Sequence, residues 1–202
     1  MRKPRLSVLL LGLGLAAAQT EAGAAPLDTT GASQCQTVGY STDKDPKGTN
    51  VRSAPRADAP IIGRLAPRTR LGPDFYEGVE FEIVGSKDGW LLIQKGSPAR
   101  DFTLDPAHAA DGRGWVSGRL VGVQPSTLPL RTAPHRDAPT VAELRGPDWG
   151  PDSFLVSIVH ACRDKYVEVT GTVPAGGKPL RGWTWAPCSN QLSTCGGGTV
   201  GE

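Results

Sequence analysis

One stretch of sixteen residues is written twice. Asn50–Leu65, NVRSAPRADAPIIGRL, returns 79 positions later as Pro129–Leu144, PLRTAPHRDAPTVAEL, without a gap. Seven positions are identical: Arg52/Arg131, Ala54/Ala133, Pro55/Pro134, Asp58/Asp137, Ala59/Ala138, Pro60/Pro139 and Leu65/Leu144. Looser matches follow in the same order. KDGWLLI (87–93) parallels RDKYVEV (163–169), and GRGWVSG (112–118) parallels LRGWTWA (180–186). Three matches in one order mark a duplication, and a repeat constrains fold more tightly than any isolated motif.

The unit reads as strand, proline-fixed loop, strand. Val51 and Leu130 are apolar strand positions, and the Arg after each points to the opposite face by the period of two. Ala-Pro then fixes φ and holds the preceding residue extended, which bends the chain. Asp58 and Asp137 suit a turn, and Pro60 and Pro139, lacking an N–H, suit a strand's first residue. IIGRL, TVAEL, VEFEIVG, SFLVSIVHA, GWLLIQ, KYVEVTG, GWVSGRLVGV and RGWTWA supply further strand patterns. DPAHAADG is short and reads as loop. The Gly count of 26 and Pro count of 18, with no collagen-like period, agree with many turns and short strands.

TNVRSAPRADAPIIGRL, then KDGWLLI, then GRGWVSGRLV resembles a bacterial SH3 (SH3b) domain, whose pattern runs Asn-Val-Arg-Ser-Gly-Pro, a strand, Gly-Trp and Gly-Trp-Val. The second copy departs from it: Pro129 replaces Asn50, Tyr166 replaces Trp90, and Lys165 stands where Gly89 precedes that aromatic. Both copies carry Ala, at 54 and 133, where the family more often has Gly. The resemblance implies an all-β, loop-rich, disulfide-bonded fold of two consecutive small SH3-like β-barrels, each of five to six short strands. The expected division is an N-terminal segment over 25–47, a first domain over 48–123, a linker over 124–129, a second domain over 130–188 and a tail over 189–202. APRTRLGPDFYEG and KGSPARDFTLDPAHAADGR are expected as long loops inserted in the first domain. A barrel of about 60 residues has a marginal core, so contact between the copies or a disulfide is expected to help the second.

The first 24 residues read as a secretory signal peptide. MRKPRL supplies charge, LSVLLLGLGLAAA supplies 13 apolar residues, and small residues offer cleavage after Ala18 or Ala24. The run is short of the roughly 20 residues a membrane span needs, so a soluble exported protein, periplasmic or extracellular, is expected. Removing this segment leaves 19 Lys+Arg against 19 Asp+Glu. A neutral chain has no bulk electrostatic reason to seek nucleic acid or anionic lipid. In an exported chain Cys35, Cys162, Cys188 and Cys195 are expected as two disulfides. Cys188 with Cys195, or Cys162 with the tail, are both open. No C-x2-C pair suggests zinc.

No catalytic, metal or cofactor constellation is legible. His108, His135 and His160 lack metal-ligand spacing, and no Gly-x-Ser-x-Gly, His-Glu-x-x-His or phosphate loop occurs. SH3b domains often accompany a peptidase or amidase domain, but the SNQLSTCGGGTVGE that follows the second copy suggests none. A non-enzymatic binding protein is therefore expected, with cell-wall peptidoglycan, peptide or glycan, as the ligand class the resemblance implies. An interaction or inhibitor module acting on an envelope protein is the alternative, and a secreted hydrolase the remote one. Trp90, Trp115, Tyr166 and Trp183 occupy repeated positions and are expected as scaffold. The candidate binding residues are loop aromatics beside Asp in matching Gly-Pro-Asp loops: Asp74 with Tyr76, and Asp148 with Trp149. Trp185 is added on the expectation that it faces away from Trp183.

Overall fold

The computed structural model describes residues 26–95, 101–126, 129–144, 154–173 and 176–192. The signal segment, Asp148, Trp149 and Cys195 lie outside these. The fold is all-β. The strands are β1 (Ser33–Ser41), β2 (Thr49–Arg52), β3 (Ile61–Leu65), β4 (Thr69–Arg70), β5 (Tyr76–Glu77), β6 (Glu80–Lys87), β7 (Trp90–Lys95) and β8 (Phe102–Leu104). After these come β9 (Arg113–Ser117), β10 (Val121–Gly122), β11 (Pro129–Arg131), β12 (Thr140–Glu143), β13 (Leu155–Arg163), β14 (Tyr166–Thr172) and β15 (Leu180–Trp185). DPAHAADG contributes one 3-10 turn, Pro106–His108.

Eight strands form one sheet, ordered β10-β1-β6-β7-β9-β2-β3-β8, and five form a second, ordered β12-β11-β15-β14-β13. The five-strand order of the second sheet is that of β3-β2-β9-β7-β6 in the first, strand for strand. The duplication in the sequence is thus a duplication of topology. The registers agree as well: Arg52 faces Trp115, and Arg131 faces Trp183. Each hairpin closes with two residues between Lys87↔Trp90 and Arg163↔Tyr166. In the first turn Asp88 and Gly89 both have positive φ (51° and 79°), the conformation an Asp-Gly hairpin turn requires. In the second, Asp164 takes φ 51° and Lys165 replaces the glycine.

The repeated loop has one hydrogen-bond plan. Arg52 Nη1 donates to the Ala59 carbonyl (2.7 Å), and Arg131 Nη1 donates to the Ala138 carbonyl (3.1 Å). Ser53 N donates to Pro60 O and Thr132 N to Pro139 O; Arg56 N donates to Ala54 O and His135 N to Ala133 O. The identities are kept by the loop's own backbone accounting.

Three departures from the sequence reading concern the first sheet. It holds eight strands where five or six are expected, and neither sheet closes into a hydrogen-bonded barrel among the described residues. Beyond the five strands it shares with the second sheet, it adds β1, β8 and β10. β1 lies in the N-terminal segment, β8 in the second insertion, and β4 and β5 form a separate small hairpin in the first insertion. β1 escapes a hydrophobicity pattern because its inward residues are Cys35, Thr37, Gly39 and Ser41, none of them a large apolar side chain.

The two sheets share one core. Val51, Leu65, Ile83, Leu91 and Val116 from the first belong to the same buried cluster as Leu130, Val159, Val167 and Val169 from the second. At the seam, Gln36 N donates to Asp164 O and Asp164 N donates to Gln34 O, so the β13–β14 turn docks on the edge of β1. Cys35 is disulfide-bonded to Cys162 beside this contact, which replaces the alternative in which Cys162 ties to the tail. Cys188 is also disulfide-bonded, and its partner lies outside the described residues. Residues 188–191 of the tail lie along the first sheet. Cys188 pairs with Gln124, and the Gln191 side chain bonds both the N–H and the C=O of Gly78.

Candidate functional site

Each sheet has one face in the core and one turned outward. On the second sheet the alternation buries Val167 and Val169 on β14 and Gly182 and Thr184 on β15. It turns Tyr166, Glu168, Thr170, Arg181, Trp183 and Trp185 outward together, since Tyr166 faces Trp185, Glu168 faces Trp183 and Thr170 faces Arg181. This corrects the expectation that Trp185 and Trp183 point in opposite directions. Residues two apart on a strand share a face, and the side chain pointing the other way is Thr184, fully buried. Three half-buried aromatic rings therefore stand side by side.

Polar groups frame them. Arg181 is bidentate to Glu168, Nε to Oε1 at 2.9 Å and Nη2 to Oε2 at 3.2 Å, which holds the guanidinium above its ordinary pKa. Lys165 Nζ lies 6.0 Å from the Trp185 ring centroid. His160, on β13, shares a 2.8 Å hydrogen bond with Thr170 Oγ1. Burial, then the nearby Arg181 charge, push its pKa below the usual imidazole value.

The matching face of the first sheet holds Trp90 and Leu92 on β7 and Trp115 and Ser117 on β9, in the same pairing. There the chain covers itself. Residues 27–32 cross the face on their way into β1. Asp28 N donates to Ser53 O at 2.8 Å, and Trp115 Nε1 donates to Asp28 O at 2.8 Å. Leu27 packs against the core, and Lys87 Nζ donates to Thr30 O at 2.7 Å. The Thr30 amide bonds Asp28 Oδ1 and holds that carboxyl below its ordinary pKa. Trp115 is 0 % exposed and Ser53 2 %, whereas Trp183 is half-buried and Thr132, the counterpart of Ser53, is exposed.

Of the loop residues singled out in the sequence, Tyr76 and Asp74 lie on the β4–β5 hairpin. Tyr76 is 40 % exposed, with the Arg68 guanidinium 4.9 Å from its ring centroid, and Asp74 is exposed in the turn. Tyr76 borders a cleft of about 320 Å³ with Asp43, Lys44 and Pro46. Beyond Pro67 a cleft of about 430 Å³ is lined by Glu77, Glu80 and Asp101. Tyr76 lies on the β4–β5 hairpin and Trp185 on the second sheet. Tyr166 and Trp183, read from the sequence as scaffold, complete the aromatic face around Trp185. The period-two spacing of Trp183 and Trp185 was the signal for it.

His108 is buried with Nδ1 3.4 Å from Asp111, His135 sits in an exposed turn, and His160 lies on β13, so the three histidines are on separate elements. No group of three or more His, Cys, Asp or Glu side chains gathers as a metal site among the described residues. No described helix is long and apolar enough to cross a membrane. Comparison with protein-family models, with curated proteins and with solved structures finds no match to the chain.

Proposed function

We propose that this is an exported, non-enzymatic binding protein of SH3b type that recognises cell-wall peptidoglycan through the outward aromatic face of its second sheet. The carrying observation is the contrast between two equivalent faces. One is filled by the chain's own N-terminal segment, and the other presents Tyr166, Trp183 and Trp185 half-open. Aromatic faces supply contact area and a few fixed polar groups set orientation, which is how extended ligands are held on sheets. The SH3b reading draws on the sequence resemblance and on the recurrence of one five-strand order. Export draws on the N-terminal sequence and on disulfide bonding at Cys35, Cys162 and Cys188, since such bonds persist in oxidising compartments.

Sedimentation with insoluble murein sacculi tests the reading. The wild type is expected in the pellet, with the bound fraction several-fold lower for Trp185→Ala. A protein that stays in the supernatant at every salt concentration refutes it. The second reading, an interaction or inhibitor module, draws on the hairpin tip, where Leu71, Phe75 and Tyr76 are exposed at 49 %, 41 % and 40 %. It predicts co-purification of an envelope protein that is lost in Phe75→Ser and retained in Trp185→Ala.

A further inference from the structure

We propose that the open face of the second sheet docks an extended peptide, an aliphatic residue followed by an acidic one, as the first sheet docks residues 27–28 of its own chain. The inference rests on the binding role proposed above and narrows its ligand from peptide or glycan to peptide.

The first sheet shows what such a face holds. One extended residue, Asp28, spans from the loop after β2 to the tryptophan of β9. It donates its N–H to Ser53 O and accepts at its carbonyl from Trp115 Nε1, each at 2.8 Å. Leu27 precedes it against apolar surface, and the cation at the end of β6, Lys87, takes the Thr30 carbonyl. The second sheet has a counterpart for each of the three polar receiving positions. Thr132 replaces Ser53, Trp183 replaces Trp115 and Arg163 replaces Lys87. Among the described residues nothing accepts from Trp183 Nε1 and nothing donates to the Thr132 carbonyl. Both sit at exposed or half-buried positions, ready for a main-chain N–H and C=O at the spacing of one residue.

Three substitutions shift the preference. Trp185 and Tyr166 stand where the first face has Ser117 and Trp90, enlarging the aromatic area. Leu92 becomes Glu168, which is occupied by Arg181. Arg131, Arg163, Lys165 and Arg181 outnumber Glu168 and Asp164 around the face, so the local charge is positive and favours a carboxylate on the ligand.

The test uses the disulfide-intact mature chain and the acetylated peptide PLDTTG, residues 26–31 of this sequence. Titration is followed by the indole N–H resonances of the tryptophans. The expected result is a saturable shift of the Trp183 resonance with the Trp115 resonance unmoved. Trp183→Phe is expected to weaken binding about five- to tenfold, the value of one hydrogen bond. Arg163→Glu, at an exposed position, is expected to weaken it without disturbing the fold, and added salt to weaken it further. An unmoved Trp183 resonance at millimolar peptide overturns the proposal, as does equal affinity in Trp183→Phe and Arg163→Glu. A Trp183 shift caused by N-acetylglucosamine oligomers but not by the peptide also overturns it. So does self-association in the absence of peptide that Arg163→Glu abolishes, since the occupant is then a second copy. Sacculus sedimentation separates this from the parent reading. Trp185-dependent pelleting without peptide binding leaves the binding role standing, and peptide binding without pelleting removes the wall as its source.

Discussion

The Trp115 indole N–H donates to the Asp28 carbonyl across 87 residues of sequence, and that bond pins the N-terminal segment over the first sheet. Trp115→Phe removes the donor and part of a fully buried ring. The loss combines an unpaired carbonyl with a cavity, about 3 kcal/mol in all. Urea unfolding measures it, and proteolysis near residues 26–32 is expected to accelerate in the same variant. An unchanged urea midpoint refutes the strap.

The seam between the sheets depends on two serines. Ser86 Oγ accepts from Cys162 N at 2.8 Å, and Ser33 Oγ donates to Cys162 O at 2.8 Å. Ser86→Ala strands a buried backbone N–H, which costs about 1–3 kcal/mol. The urea midpoint should fall with the slope preserved. A substitution that is neutral there implies that another acceptor reaches Cys162.

Cys35 and Cys162 are 127 residues apart, so their disulfide removes a long loop from the unfolded ensemble. In the chain-entropy account that contributes about 4–5 kcal/mol. The pair Cys35→Ala with Cys162→Ala is expected to lose most of it in denaturant titration. A loss below about 1 kcal/mol would show that the hydrogen-bonded seam carries the assembly alone.

Gly118 lies where a Cβ would run into the Val159 carbonyl oxygen of β13. Gly118→Ala therefore forces the sheets apart locally, at about 1–3 kcal/mol. Indole and amide resonances should shift along β13 and leave β2 and β3 unmoved. A variant with wild-type stability contradicts so close a contact.

His160 carries a pH dependence. Burial and the Arg181 charge lower its folded pKa, with Arg119 acting in the same direction, Glu168 opposing and Thr170 bonded to the ring. Its ordinary value is 6.5. The neutral ring is favoured in the fold, so this contribution is complete above pH 6.5. It falls as pH drops from there toward the depressed folded value. The stability difference between wild type and His160→Gln should be flat above pH 7 and move against the wild type on acidification. A difference independent of pH between 5 and 8 rules the effect out.

Legibility in the sequence followed the chemistry of each segment. β3, β6, β7, β9, β13 and β14 announce themselves because their buried sides are Ile, Leu, Val, Phe or Trp at strand spacing. β1 does not, because its buried side is Cys35, Thr37, Gly39 and Ser41, none of them a large apolar residue. β8 is three residues inside a polar, proline-bearing insertion, too short for a pattern. Among the site residues, Trp185 was legible as a surface aromatic. Tyr166 and Trp183 read as scaffold because they repeat the positions of Trp90 and Trp115, of which only Trp115 is fully buried.

By itself the amino-acid sequence determined the repeat, the all-β composition, the turn chemistry of Asp88-Gly89 and the paired loops, because these are local. Each is set by φ restrictions and alternation within a dozen residues. Only the tertiary structure decided that residues 27–32 lie across one face, with no such strap over its counterpart among the described residues. The same holds for the pairing of Cys35 with Cys162 and for the single core joining the two sheets. Those outcomes depend on contacts between segments far apart in the sequence, whose partners no local pattern encodes. The duplicated stretch writes the same scaffold twice, and the difference between its two faces arises from what the rest of the chain lays over them.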